Sequence, residues 1–257
     1  MVSSFTTSAV RLLHEEAGLD NPNKAYPIIS ILKCIDRVKG APPKRKLPIT
    51  IPILWSFHDL LDLDKAVDLA FFAACVVCFF TFLRKSSLLS VKLKDHNPDL
   101  DLCRKDVLFV EEGVILSVRH TKTIQCKDRV LEIPLLRSSS PLCAVSLLEK
   151  LWDRFPSIDK DAPLFSYLLN DKLHCIEYDN FVSKVKSLVG RCGLNPGDYS
   201  GHSFRRGGCS HAYKNGVSPE YIMHQGDWKS DAWMKYLDIP LSSRWDVARV
   251  MVNSMLV

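Results

Sequence analysis

The sequence predicts a mainly α-helical protein with one small three-stranded antiparallel sheet, an α+β arrangement. Three observations carry this. Apolar residues recur at helical spacing over most of the chain, and alternation replaces that period only between Val107 and Ile133. A single apolar run, Leu69 to Leu83, is long enough to form the spine of a core. It is shorter than the roughly 20 residues a membrane span needs, so it reads as a helix buried on most sides, and no membrane partner is expected. The 257 residues are 47% hydrophobic and 25% charged, a globular balance that excludes a disordered chain. Lys plus Arg number 34 against 29 Asp plus Glu, a net charge of +5. That excess suits a polyanionic partner without demanding one.

In chain order, Ser8–Ala17 and Tyr26–Val38 read as two short helices joined by the polar turn Asp20-Asn21-Pro22-Asn23. Two such helices cannot enclose a core of their own and must pack on something else. Residues 41–48, Ala41-Pro42-Pro43-Lys44-Arg45-Lys46-Leu47-Pro48, form a Pro-rich basic linker and the clearest domain boundary. From Thr50 to Leu89 the pattern is helical, with Asp64 the expected N-cap of the buried helix. Val107–Val110, Val114–Val118 and Arg129–Ile133 read as strands, the last two joined by a polar, basic connection. After Pro141 the expectation is helix throughout, broken by loops near residues 159–163, 195–201 and 215–218. Ser218 and Pro219 mark a helix restart, and Gly226 its end.

The nine cysteines are dispersed and odd in number, which reads as reduced thiols. Cys75 and Cys78 form a CxxC inside the apolar run, with no second pair, and read as core residues. A zinc site from His202, Cys209, His211 and His224 matches no common ligand spacing, so no metal and no cofactor is expected.

The informative cluster lies in the last third: Ser200-Gly201-His202-Ser203-Phe204-Arg205-Arg206, then Gly226-Asp227-Trp228, then Tyr236. His202 and Arg205, three residues apart, share one helix face. This order, His-x-x-Arg followed by Gly-x-Trp and a tyrosine, resembles the signature of the tyrosine recombinase (phage integrase) family. Phe82-Leu83-Arg84-Lys85-Ser86 resembles that family's first-arginine box, and Lys122 in Arg119-His120-Thr121-Lys122-Thr123 its lysine on a turn between two strands. The boxes stand in family order across most of the chain, roughly Lys46 to Leu241.

The resemblance implies the recombinase catalytic-domain fold over residues 49–241 and double-stranded DNA as partner. It implies strand cleavage and rejoining through a 3′-phosphotyrosyl bond. That bond stores the energy of the broken one, so neither ATP nor a metal is needed. Tyr236 is then the nucleophile, and the forked guanidiniums of Arg84 and Arg205 match the charge that builds on the phosphate oxygens. Trp228 offers an indole N–H to the same oxygens. His202 donates a hydrogen bond or takes the tyrosine proton, and Lys122 protonates the leaving 5′-oxygen.

Three departures stand out. Ser87 occupies a position where the family often has a carboxylate. Trp228 and Tyr236 are eight residues apart, one fewer than the commonest spacing, as in recombinases of eukaryotic mobile elements such as Cryptons. The stretch between Arg84 and Lys122 is long, with residues 96–101 reading as an insertion. Residues 1–40 resemble only the last part of the family's helical core-binding clamp, so the chain is expected to start late. Residues 242–257 read as an amphipathic helix, with Trp245, Ala248, Val252 and Met255 on one face. Such a tail packs on its own domain or, by resemblance, docks on a neighbouring protomer to build a tetramer. Pro43-Lys44-Arg45-Lys46 reads either as a nuclear import signal or as a DNA-facing linker. The competing functional reading is a decayed, non-catalytic DNA-binding protein that keeps the fold.

Overall fold

A computed structural model describes residues 4–39, 45–121, 124, 129–238 and 241–253. By contact, the chain divides into two compact units, residues 1–45 and 46–257. In the first, α1 (Ser4–Glu16) and α2 (Tyr26–Lys39) flank a 3-10 turn at Pro22–Lys24. The Asn21 side chain caps that turn by accepting from the Asn23 amide at 3.0 Å. Leu12, Leu13, Tyr26, Ile31 and Val38 are exposed within this unit, as expected of two helices too short to bury a core.

The second unit is built around one helix. After α3 (Ile51–Leu60), α4 (Ala66–Thr81) is buried continuously from Leu69 to Phe79. A helix apolar on every side must be surrounded, and α4 packs against α6 (Ala144–Arg154), α8 (His202–Lys214) and the sheet. Its N-cap is Lys65, without a side-chain bond; the expected cap, Asp64, lies one residue outside, because the Lys65 carbonyl already accepts the Leu69 amide. Cys75 and Cys78 are buried core residues of α4. No helix among the described residues is long and apolar enough to cross a membrane.

The short helix α5 (Lys85–Leu88) follows α4. Then β1 (Val107–Phe109), β2 (Gly113–Val118) and β3 (Leu131–Leu136) form an antiparallel sheet in that order. Leu131, Ile133 and Leu135 face the core, and Glu132, Pro134 and Leu136 face out. The third strand runs beyond the expected end at Ile133 because Pro134 sits on an edge strand, where a missing N–H is tolerated.

The region after Pro141 departs from the expectation of helix interrupted only by loops. Residues Ser166–Leu169 (β4) and Lys172–Cys175 (β5) form a second, two-stranded sheet. Asn170 and Asp171 both take positive φ, 50° and 58°, the conformation of a two-residue type I′ hairpin turn. Beyond it come α7 (Tyr178–Arg191), α8, α9 (Pro219–Gln225) and α10 (Leu241–Asn253). Trp245, Ala248 and Val252 of α10 are exposed.

Two adjacent glycines bring α8 onto the spine. A Cβ at Gly207 would run into the carbonyl of Ile49, and one at Gly208 into the carbonyl of Phe79. The neighbours are backbone and cannot swing away. Gly208→Ala should therefore destabilise the unit by at least about 2 kcal/mol, read as a lower denaturant midpoint. An unchanged midpoint would show that α8 does not seat this closely on α4.

Candidate active site

The site forms where α4, α8 and α9 end or begin together. At the end of α4, Phe82 turns into the left-handed region (φ 54°, ψ 13°) and stops the helix. Thr81 Oγ1 donates to the Val77 carbonyl at 2.7 Å and accepts from the Leu83 amide at 3.3 Å, which sets the exit. Arg84 follows in extended conformation at the N-cap of α5, half-buried.

On α8, His202 is exposed and Arg205, one turn later, is 1% exposed. Arg205 donates from Nη1 to the Phe82 carbonyl and from Nη2 to the Gly226 carbonyl, the latter at 2.7 Å. Its Cζ lies 3.6 Å from the Trp228 ring centroid and 5.2 Å from that of Tyr236. Trp228 folds back beneath α9's end, and a Cβ on Gly226 would collide with the indole. Gly226 is therefore needed for space; its φ of −91° suits any residue, and the positive φ falls instead on Asp227.

Tyr236 closes a 3-10 turn, Asp231–Tyr236, where the sequence suggests an α-helix. Its ring lies 5.4 Å from that of Trp228 and 6.3 Å from that of His202. Two α8 side chains hold this segment. Ser210 Oγ donates to the Tyr236 carbonyl and accepts the Asp238 amide at 2.8 Å. Arg206 Nη2 donates to the Leu237 carbonyl at 3.3 Å and the Asp238 carboxylate at 3.0 Å.

The structure thus brings His202, Arg205, Trp228 and Tyr236 into one cluster, and the charge of Arg84 reaches both His202 and Arg205. Lys122 lies outside the described residues, as does Lys44 of the basic linker. Arg205 is almost wholly buried. It is buried because two backbone carbonyls and two aromatic rings receive it. Sequence reasoning missed Arg206, Ser210 and Asp227, whose neighbours are distant in sequence. The one signal was that Arg206, Ser210 and the paired glycines share the helix of the His-x-x-Arg box.

Burial, then the neighbouring Arg84 charge, push the Arg205 pKa down to about 9, so the guanidinium stays charged at neutral pH. Loss of hydration, then the charges of Arg205, Arg84 and Lys85, hold His202 below the ordinary imidazole value of 6.5. Arg205 Nε and Trp228 Nε1 are buried donors without a hydrogen-bond partner among the described residues. Buried polar groups are usually satisfied, so two such donors beside a cationic carbon suit an anion. No three His, Cys, Asp or Glu side chains among the described residues converge as a metal-binding group.

No protein-family model matches the chain. It is 28% identical over 224 residues to an integrase/recombinase XerD homolog of Selenomonas ruminantium, covering 84% of this chain and 60% of that one. The chain thus spans about 60% of the length of that curated relative. Among solved structures, XerH recombinase in a post-cleavage complex with its palindromic difH substrate superposes with a TM-score of 0.58. The identity is 15%, over 80% of this chain and 54% of that one. A lambda integrase dimer bound to a core site gives 0.51 at 15% identity, over 92% and 80%. The fold is that of tyrosine recombinase catalytic domains, mostly helical with the small three-stranded sheet.

A depressed imidazole means a group that resists protonation in the folded state. Its contribution to stability is present above the unfolded pKa and is lost as pH falls through the folded one. Titrated by NMR, His202 should show a midpoint below 6.5, and Arg84→Gln should raise it. A midpoint at or above 6.5 in the wild type, unmoved by Arg84→Gln, would contradict the charge arrangement described.

Proposed function

We propose that this chain cleaves and rejoins DNA strands as a tyrosine recombinase, with Tyr236 as the nucleophile. One observation supports this above the others: the Tyr236 ring stacks beside a buried, charged arginine whose Nε, like the neighbouring indole N–H, is an unsatisfied donor. A group carrying developing negative charge, held at the tyrosine, completes that set.

In the proposed reaction Tyr236 Oη attacks the scissile phosphorus, a tyrosyl–phosphorus bond forms and the bond to the 5′-oxygen breaks. One phosphodiester replaces another, so the energy is kept for resealing by reversal. Arg84 and Arg205, with Trp228, stabilise the non-bridging oxygens in a site of low dielectric. His202, held neutral by its surroundings, takes the tyrosine proton. Lys122 gives a proton to the departing 5′-oxygen.

Residues 1–40 supply part of a helical DNA clamp in this reading, and residues 41–48 the basic linker to the catalytic domain at 49–241. The exposed apolar residues of α10 favour docking on a neighbouring protomer, the route to a tetramer on DNA. The short spacing from Trp228 to Tyr236 supports a mobile-element recombinase of eukaryotic type, and Pro43-Lys44-Arg45-Lys46 supports nuclear import.

The test is a nicked suicide duplex that traps the covalent adduct. Wild type should form a protein–DNA adduct, and Tyr236→Phe should form none while binding the duplex equally well, since it loses a hydroxyl and no charge. Equal adducts from the two proteins would overturn the assignment of Tyr236, and adducts from neither would leave a DNA-binding protein without this chemistry.

A further inference from the structure

Lys85 follows Arg84 and opens α5, and the reaction described above gives it no task. Its side chain is nonetheless held along its length. The stem lies against Gly201, the residue before His202: a Cβ there would run into Lys85 Cγ, Cδ and Cε. Gly201 has φ −59° and ψ −23°, which any residue adopts, so glycine is needed there for the space the lysine stem occupies. The ammonium sits 3.5 Å from the centroid of the Tyr178 ring. Tyr178 opens α7, and its amide donates to the Ser90 carbonyl at 3.1 Å, which ties the ring to the chain leaving α5.

Other cations fixed in this unit have an acid to meet. Lys184 also lies over a ring, that of Phe71, but it pairs with Asp68. Lys105 pairs with Asp161, Arg119 with Asp106 and Arg129 with Asp227. The Lys85 ammonium has no carboxylate and no hydrogen-bond acceptor among the described residues; there the ring face alone receives it. A ring covers one side of a group that carries three donors, and the other side can take an anion. Ordering a lysine costs side-chain entropy, which a cation serving only solubility has no reason to lose. Its charge reaches His202, so it stands at the rim of the candidate site. Tyr178 draws the ammonium toward α7, an element that supplies none of His202, Arg205, Trp228 and Tyr236.

We propose that Lys85 binds a backbone phosphate of the duplex next to the scissile one, braced for it by Gly201 and Tyr178. The proposal rests on the recombinase reading above and extends its contacts by one phosphate. Neighbouring residues lie about 3.8 Å apart at Cα, and successive phosphates of a strand rise about 3.4 Å along the duplex. With Arg84 on the scissile phosphate, a side chain that diverges from it toward α7 meets an adjacent phosphate. Such a contact carries no sequence information; it fixes where the duplex lies on the site.

Neutral phosphates locate the contact. A set of nicked suicide duplexes carries one methylphosphonate each, at a position flanking the scissile phosphate, which is left intact. For wild type, one position should weaken duplex binding by about tenfold, the worth of one charge-assisted hydrogen bond. Lys85→Met on the unmodified duplex should lose the same factor, in the half-saturating concentration rather than in the saturated rate of adduct formation. It should then be indifferent to the methylphosphonate, within about twofold, at that position alone, because the partner is already gone. Lys85→Arg, which keeps the charge and stacks on a ring, should recover most of the affinity. Gly201→Ala, which displaces the stem, should add nothing to the loss in Lys85→Met. Equal methylphosphonate penalties in wild type and Lys85→Met at every position would overturn the proposal, as would a loss confined to the saturated rate, which would make Lys85 a support of His202. Failure of wild type to form an adduct on the unmodified duplex would overturn the recombinase reading instead; the duplex affinities, which need no cleavage, would still decide the place of Lys85.

Discussion

The buried guanidinium of Arg205 is the constraint on which the rest of this site depends. A lone charge taken from water into a protein interior costs several kcal/mol even after relaxation. Here the Phe82 and Gly226 carbonyls, the Trp228 face and the Tyr236 ring share that cost. Each of those partners sits at the end of a different segment. Satisfying one side chain therefore fixes the exit of α4, the start of α8, the turn after α9 and the tyrosine segment relative to one another. Removing the receiver of such a charge typically costs about 3–5 kcal/mol, so these segment ends are not free to drift.

Backbone geometry serves the same end. Phe82 and Asp227 both occupy left-handed conformations without being glycine, and both flank Arg205: the carbonyl of one accepts from the guanidinium, and the other sits between the second accepting carbonyl and the indole. Such strain persists where surrounding contacts over-determine it, and it clusters at functional sites. Gly207 and Gly208 let α8 lie directly against backbone, which sets how deep Arg205 reaches. The proposed nucleophile is held more lightly. Tyr236 ends a 3-10 turn pinned through Arg206 and Ser210, mainly by backbone carbonyls, so it can shift without dismantling the guanidinium's setting.

Much of this was legible in the residues, and the exceptions have physical causes. The three-stranded sheet follows from alternation, and the cluster of His202, Arg205, Trp228 and Tyr236 from motif order. The β4–β5 hairpin was not legible because its strands are only four residues each and short apolar runs do not separate helix from strand. Its signal was the Asn170-Asp171 pair, which tolerates the left-handed turn. Asp227 looks like a solvated turn residue, since nothing local reveals that Thr121 and Arg129 will meet it. The depth of Arg205 is equally hidden, because arginines are rarely buried and its receivers are backbone carbonyls carrying no side-chain signature.

The central claim is that Arg205 and Trp228 present preorganised donors to a phosphate attacked by Tyr236. A crystal structure of the chain with nicked duplex and vanadate, which mimics a five-coordinate phosphorus, measures this directly. The account predicts Tyr236 Oη bonded to vanadium, with Arg205 Nε and Trp228 Nε1 each within about 2.7–3.1 Å of an equatorial oxygen. A vanadate bound elsewhere, or held at Tyr236 with neither donor in hydrogen-bond reach, would contradict it.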